Sequence, residues 1–180
     1  MPVFIFYPMR HMLLIAFLLA SLLGNAQFPQ TWIGSYSGTM YLSGANGVYD
    51  SLNIELHIQP IENSPSWTYK MLYKSARFGE SSKNYVILKD STGYLMDEQN
   101  GILIEMMYSN NVFYEFFEVN EMYFACTMRK MEKGILFEIF GTSTSITRET
   151  ESEPDEKNNV FLVYSRKPQF AQTALLLPIN

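Results

Sequence analysis

From Ser35 to the neighbourhood of Lys167, the apolar residues of this 180-residue chain recur mostly at every second position. In the segment LNIELHI, Leu52, Ile54, Leu56 and Ile58 share one face, and Asn53, Glu55 and His57 share the other. Successive side chains of an extended strand point to opposite sides, so this rhythm encodes half-buried strands. WTYKMLYK repeats it, with Trp67, Tyr69, Met71 and Tyr73 opposite Thr68, Lys70 and Lys74.

Further strands are predicted at Ser35 to Leu42, Lys83 to Lys89, Gly93 to Met96, Ile102 to Tyr108, Val112 to Val119, Met122 to Met131, Ile135 to Thr144 and Val160 to Lys167. SGANG, ENSPS, DSTG, SNN and EKG separate them, and such Gly, Asn, Ser and Pro clusters make hairpin connections. Strands in unbroken succession, with no helical period between them, predict an all-β antiparallel meander. A meander this long closes on itself, since two bare edges invite aggregation, and a barrel of 8 to 10 strands follows. The acidic stretch TRETESEPDEKNN, Thr147 to Asn159, reads as a solvated, mobile loop. In the tail FAQTALLLPIN, Phe170, Ala174 and Leu177 fall at helical spacing and predict a short C-terminal helix against the barrel wall. An extra edge strand is the competing reading of that tail.

The first residues have another character. Arg10 and His11 precede an apolar run from Met12 to Leu23, followed by the small residues Gly24 and Ala26. This is the layout of a secretory signal, residues 1–26, with cleavage between Ala26 and Gln27 and a barrel domain over residues 27–180. The run would span only about 18 Å as a helix, against a hydrocarbon core of roughly 30 Å, which argues against a membrane anchor. The formal net charge is −5, and losing Arg10 makes it more negative. An acidic domain offers no electrostatic footprint for nucleic acid. Cys126 is the only cysteine, so no disulfide forms within the chain, and the expected location is secreted or periplasmic.

The chain offers little reactive chemistry. Asp97 and Glu98 sit just before Asn100-Gly101, the strongest short signal for a tight hairpin turn. Adjacent residues of a strand face opposite ways, so the two acids are expected to mark a turn and not to work as a catalytic pair. His57 lies on a polar face without a ligand partner at metal spacing. No nucleophile elbow or phosphate loop occurs. Cys126 shares a face with Met122, Phe124 and Met128 and reads as a small buried hydrophobe. Glu105, Glu115 and Glu138 fall inside strands; the expected orientation is outward, and any that turns inward becomes a polar anchor for a ligand. The reading is a protein that is not an enzyme, with no cofactor and no metal.

The faces expected to point inward are rich in aromatic residues and methionine. Tyr69, Met71, Tyr73, Met106, Tyr108, Phe124, Met128 and Phe137 are the candidate ligand-binding residues. Tyrosine joins an apolar body to a polar tip, and methionine adapts its shape, which suits a small apolar guest or lipid. A filled core is the alternative, because a barrel of this size either packs solid or holds one small ligand. In that case the chain is a protein-interaction module of the cell envelope, with Tyr41, Tyr114 and Phe116 as a surface patch.

QTWIGSYSGTM, followed by the meander, resembles the lipocalin-like (calycin) superfamily, and small exported bacterial domains of that type. The resemblance implies a cup-shaped barrel for an apolar small molecule. It also implies that Trp32, matching the family's first-strand tryptophan, closes one barrel end beneath a late arginine, here Arg166. Gln30 stands where the family has glycine, and the family's Thr-Asp-Tyr motif is not visible.

Overall fold

The computed structural model describes residues 30–179, so the segment read as a signal lies outside the described residues. Twelve strands follow one another: β1 (Gly34–Gly44), β2 (Gly47–Pro60), β3 (Ser66–Ser75), β4 (Gly79–Lys89), β5 (Tyr94–Asp97), β6 (Leu103–Ser109), β7 (Val112–Val119), β8 (Met122–Met131), β9 (Gly134–Ser143), β10 (Arg148–Glu151), β11 (Leu162–Ser165) and β12 (Phe170–Pro178). Ten of them close into an antiparallel barrel in the order β1-β12-β9-β8-β7-β6-β5-β4-β3-β2, while β10 and β11 pair only with each other. Among the described residues no helix is long and apolar enough to cross a membrane.

The two-residue rhythm sets the inner face. Ile58, Leu56 and Ile54 stand opposite Tyr69, Met71 and Tyr73. Around the ring Tyr108 faces Phe113, Phe113 faces Met128, and Met128 faces Phe137. Phe137 then faces Ala174, and Ala174 faces Met40. The inward rows differ in exposure between the two ends of the barrel, with Trp67, Tyr94 and Tyr108 half-buried at the base. At the base, where β1 starts and β12 ends, Tyr36, Ile58, Ile87, Ile104, Phe113, Ile135 and Leu176 are buried. Towards the rim, Leu42, Leu52, Tyr73, Phe117, Phe124, Ile139 and Phe170 also point inward, and they keep partly exposed surface. At the base Lys130 donates to the Tyr36 hydroxyl at 2.9 Å, its ammonium 4.6 Å from the ring centre.

Three local expectations are corrected. The tail forms a strand and not a helix: β12 lies between β1 and β9 and completes the ring. Phe170, Gln172, Ala174 and Leu176 alternate inward there, so the two-residue period overrides the helical spacing seen in the same letters. The acidic stretch is partly ordered, since Arg148–Glu151 pairs with Leu162–Ser165, and the strand expected at Val160 to Lys167 belongs to this outlying hairpin. The turn after β5 is wider than a two-residue Asn-Gly turn. Positive φ falls at Gln99 (59°) and Gly101 (95°), the Asp97 carboxylate accepts from the Gln99 amide at 2.7 Å, and the Asn100 side-chain oxygen accepts from the Ile102 amide.

Tight two-residue turns do occur elsewhere. Asn110-Asn111 and Asn120-Glu121 both have positive φ at both residues, the form that matches strand twist in hairpins. Asparagine tolerates that region, whereas Glu121, at 60°, bears the steric cost of its Cβ. Replacing Glu121 with glycine is expected to raise stability by about 1 kcal/mol, measured as a higher urea midpoint at unchanged slope.

Candidate functional site

All eight candidate positions face the barrel interior, at different depths. Tyr69, Met71, Met106, Met128 and Phe137 are buried. Tyr108 lies at the base and donates to the Asn111 side-chain oxygen at 3.0 Å. Phe124 stacks on Phe117 towards the rim, with ring centres 5.3 Å apart, and touches Phe170 at 5.8 Å. Phe170 in turn covers Gly141, where an added Cβ would lie 2.4 Å from the ring.

The Tyr69 hydroxyl donates to the Met128 sulfur at 3.1 Å. These residues stand on β3 and β8, which are diametrically opposite in the ring, so side chains span the barrel at this level. Tyr69 also stacks on Tyr85 at 6.3 Å. A floor therefore divides the packed base from the half-exposed rim.

A polar set stands at this floor. Glu115 faces Met106 on one neighbouring strand and Cys126 on the other, and so it points inward. The sequence expectation of an outward carboxylate holds for Glu105 and Glu138, which are exposed, and is corrected for Glu115. Burial pushes the Glu115 carboxyl up to about 7; a hydrogen bond from the Cys126 thiol pulls against this, and the charge of Glu98 adds to it. Burial, then Glu115, raises the Cys126 thiol. Tyr69 and Tyr73 are both raised, chiefly by burial. Tyr85 is pushed up to about 12 by burial, by the charge of Glu98 and by its hydrogen bond to that carboxylate. Glu98 thus does more than mark a turn: its neighbour Asp97 caps the turn, while Glu98 reaches the Tyr85 phenol. Tyr85 and Glu98 were not singled out as ligand-binding positions in the sequence. Their signal was parity with Ile87 and the strand end at Asp97.

The ion pairs found among the described residues lie outside the barrel, where Glu55 meets Lys74 at 2.6 Å and His57 at 3.5 Å. Lys74 and then His57 hold the Glu55 carboxyl below its usual range. Ser35 bonds the other His57 ring nitrogen at 2.8 Å. No group of His, Cys, Asp and Glu among the described residues is arranged to hold a metal.

Of the implied barrel-closing pair, Trp32 is buried. Arg166 lies just before β12, where its Nε donates to the Thr144 carbonyl at 2.8 Å and its guanidinium stands 5.4 Å from the Tyr123 ring centre.

The wall is not continuous. The β6–β7 ladder ends at Met106 and Glu115, leaving Phe116–Val119 paired only to β8. An outer groove of about 680 Å³ lies there, lined by Glu105, Met107, Tyr114, Phe116, Thr127 and Phe140, with Met106, Glu115, Ala125 and Cys126 at its bottom.

Compared with known proteins, the chain matches no protein-family model and no curated protein.

Proposed function

We propose that this chain is an exported lipocalin-like barrel that holds a small apolar molecule non-covalently, without chemical conversion, among the inward side chains of its rim half. The closed ten-stranded antiparallel barrel is compatible with that fold. The carrying observation is a set of inward apolar residues at the rim: Leu52, Tyr73, Phe124, Ile139 and Phe170 retain accessible surface above the Tyr69–Met128 floor, whereas Tyr36, Ile58, Ile87, Phe113, Ile135 and Leu176 at the base are buried. Side chains that face the interior and still keep accessible surface are what a guest would cover. Covering about 300 Å² of apolar guest contributes roughly 7 kcal/mol before the costs of association, which corresponds to micromolar affinity at best.

Titration of the delipidated domain with dodecanol, followed calorimetrically, tests this. Saturable one-to-one binding is expected, weakened about tenfold by Ile139→Trp, which fills the rim half with a bulky ring. Absence of saturable binding to the unsubstituted protein would overturn the reading. Export is tested separately by fractionating cells that express the full chain and sequencing the new N-terminus, expected at Gln27.

A further inference from the structure

We propose that Ser35, on the outer face of the barrel, is an activated nucleophile that takes an acyl group from an activated ester with a short apolar chain. The site lies apart from a guest in the barrel interior, and neither depends on the other.

The register of three strands assembles it. Ser35 on β1 stands directly opposite His57 on β2, and His57 stands opposite Lys70 on β3. Glu55 lies two residues before His57 on the same strand, and so on the same outward face. Ile54, Leu56 and Ile58, which alternate with them, are buried inside. No short motif carries this set, because its members meet only through strand pairing.

The distances give each member a role. The Ser35 hydroxyl lies 2.8 Å from His57 Nδ1, and the Glu55 carboxylate lies 3.5 Å from His57 Nε2. Lys74 meets the other Glu55 oxygen at 2.6 Å and, as the first cause, holds that carboxyl below its usual range. An ionised carboxylate at Nε2 keeps the imidazole proton there, which leaves Nδ1 as the acceptor for the serine hydroxyl. A nucleophile, a base and a group that orients the base are thereby in line. Ser35, His57 and Glu55 are half-buried, so a reagent reaches the hydroxyl from outside.

The surface beside Ser35 defines the acyl group. The Ile179 amide donates to the Ser35 carbonyl at 2.9 Å, which places Ile179 next to Ser35 on the β12 side. Leu177, opposite Ser37, and then Leu175 continue the same outward row. Ile179, Leu177 and Leu175 are 39%, 47% and 52% exposed, an open apolar strip along which a chain of several carbons lies. In the reaction the Ser35 oxygen bonds to the acyl carbon and His57 Nδ1 takes the hydroxyl proton. The bond from the acyl carbon to the leaving oxygen breaks, and that oxygen departs with the electron pair. Lys70, beside His57, brings a positive charge to the row in which the oxyanion forms.

The test exposes the folded chain to p-nitrophenyl hexanoate and p-nitrophenyl acetate, following p-nitrophenolate release and mapping the acylated peptide by mass. A burst close to one equivalent per chain is expected, with the acyl group on Ser35. The hexanoate is expected to react about tenfold faster than the acetate, once each is divided by its rate with free imidazole. Ser35→Ala is expected to abolish the burst and His57→Gln to slow it about a hundredfold. Glu55, a positioning residue, acts through His57: Glu55→Gln is expected to slow the burst about tenfold at an unchanged half-saturating ester concentration. Ser82→Ala, at an exposed serine of β4, leaves it unchanged. Absence of a burst overturns the proposal, as does a burst that survives Ser35→Ala. Acyl groups found on Lys70 or Lys74 in place of Ser35 overturn it too, and equal corrected rates for the two esters overturn the apolar strip as the acyl site. Mapping on the unsubstituted protein needs no variant to fold.

Discussion

Gly38→Ala is expected to destabilise the barrel by about 3 kcal/mol or to prevent its closure. A Cβ on Gly38 would lie 2.2 Å from the Leu175 carbonyl oxygen and 3.1 Å from its carbon. On the other side of the same strand, a Cβ on Gly134 would lie 2.2 Å from the Leu176 carbonyl oxygen. Both obstacles are backbone, which cannot rotate away as a side-chain tip can. β12 is therefore held between two glycines, one on β1 and one near the start of β9. Relief requires moving the strand away from its ladder. Urea unfolding of Gly38→Ala and Gly134→Ala, each compared with Gly44→Ala, where an added Cβ meets only ordinary contacts at 3.7 to 3.8 Å, measures this. A cost at Gly38 no greater than at Gly44 would refute the tight seam.

The second large effect is a loss of stability between weakly acidic and weakly alkaline pH. In the unfolded chain Glu115 titrates at its ordinary value of 4.5, and in the fold at about 7. Below 4.5 the carboxyl is neutral in both states, so the fold bears no penalty. As the pH rises from 4.5 to about 7 the unfolded chain releases its proton while the fold still holds it, and stability falls by about 3 kcal/mol in all. Above that range the contribution is constant. Glu55, Asp90 and Asp155 act in the opposite sense and lower on the scale, because hydrogen bonds hold their carboxyls below the usual range. Their contributions are lost only as the pH falls through the carboxylate range, which separates the two windows. Urea midpoints measured from pH 4.5 to 8.5 are expected to decline in the unsubstituted protein and to stay nearly level in Glu115→Gln. A flat profile in both would show that the Glu115 carboxyl is not desolvated in the fold.

Most of the strand plan was legible because alternation is a local signal. Val112–Val119 and Met122–Met131 follow from the letters alone, bounded by Asn-rich turns. Two places were not legible, each for a definite reason. In FAQTALLLPIN the same residues satisfy a helical and an extended spacing, and the choice is made by the gap between β1 and β9, two distant segments. In NVFYEFFEV aromatic residues occupy both faces, so parity alone cannot tell which side is wet, and the inward turn of Glu115 is decided by Cys126 and Met106 on the neighbouring strands. The groove at the β6–β7 end was hidden for a related reason. It arises from where a ladder stops, and the length of a ladder depends on both strands at once. The short β5, Tyr94–Asp97, likewise reaches only Val86–Lys89 of β4, so Gly79–Tyr85 are bonded to β3 alone.

The placement of β12 also governs when this protein can become itself. Tyr36 must find Pro178, and Met40 must find Ala174, across nearly the whole described chain. During synthesis β1 therefore waits, with half its amides unanswered, until the last described strand has emerged. Contacts so distant in sequence form slowly, and the waiting edges are the adhesive ones. The half-made chain is consequently the hazardous species, and a chaperone that shields β1 and β9 would protect it until residue 178 arrives.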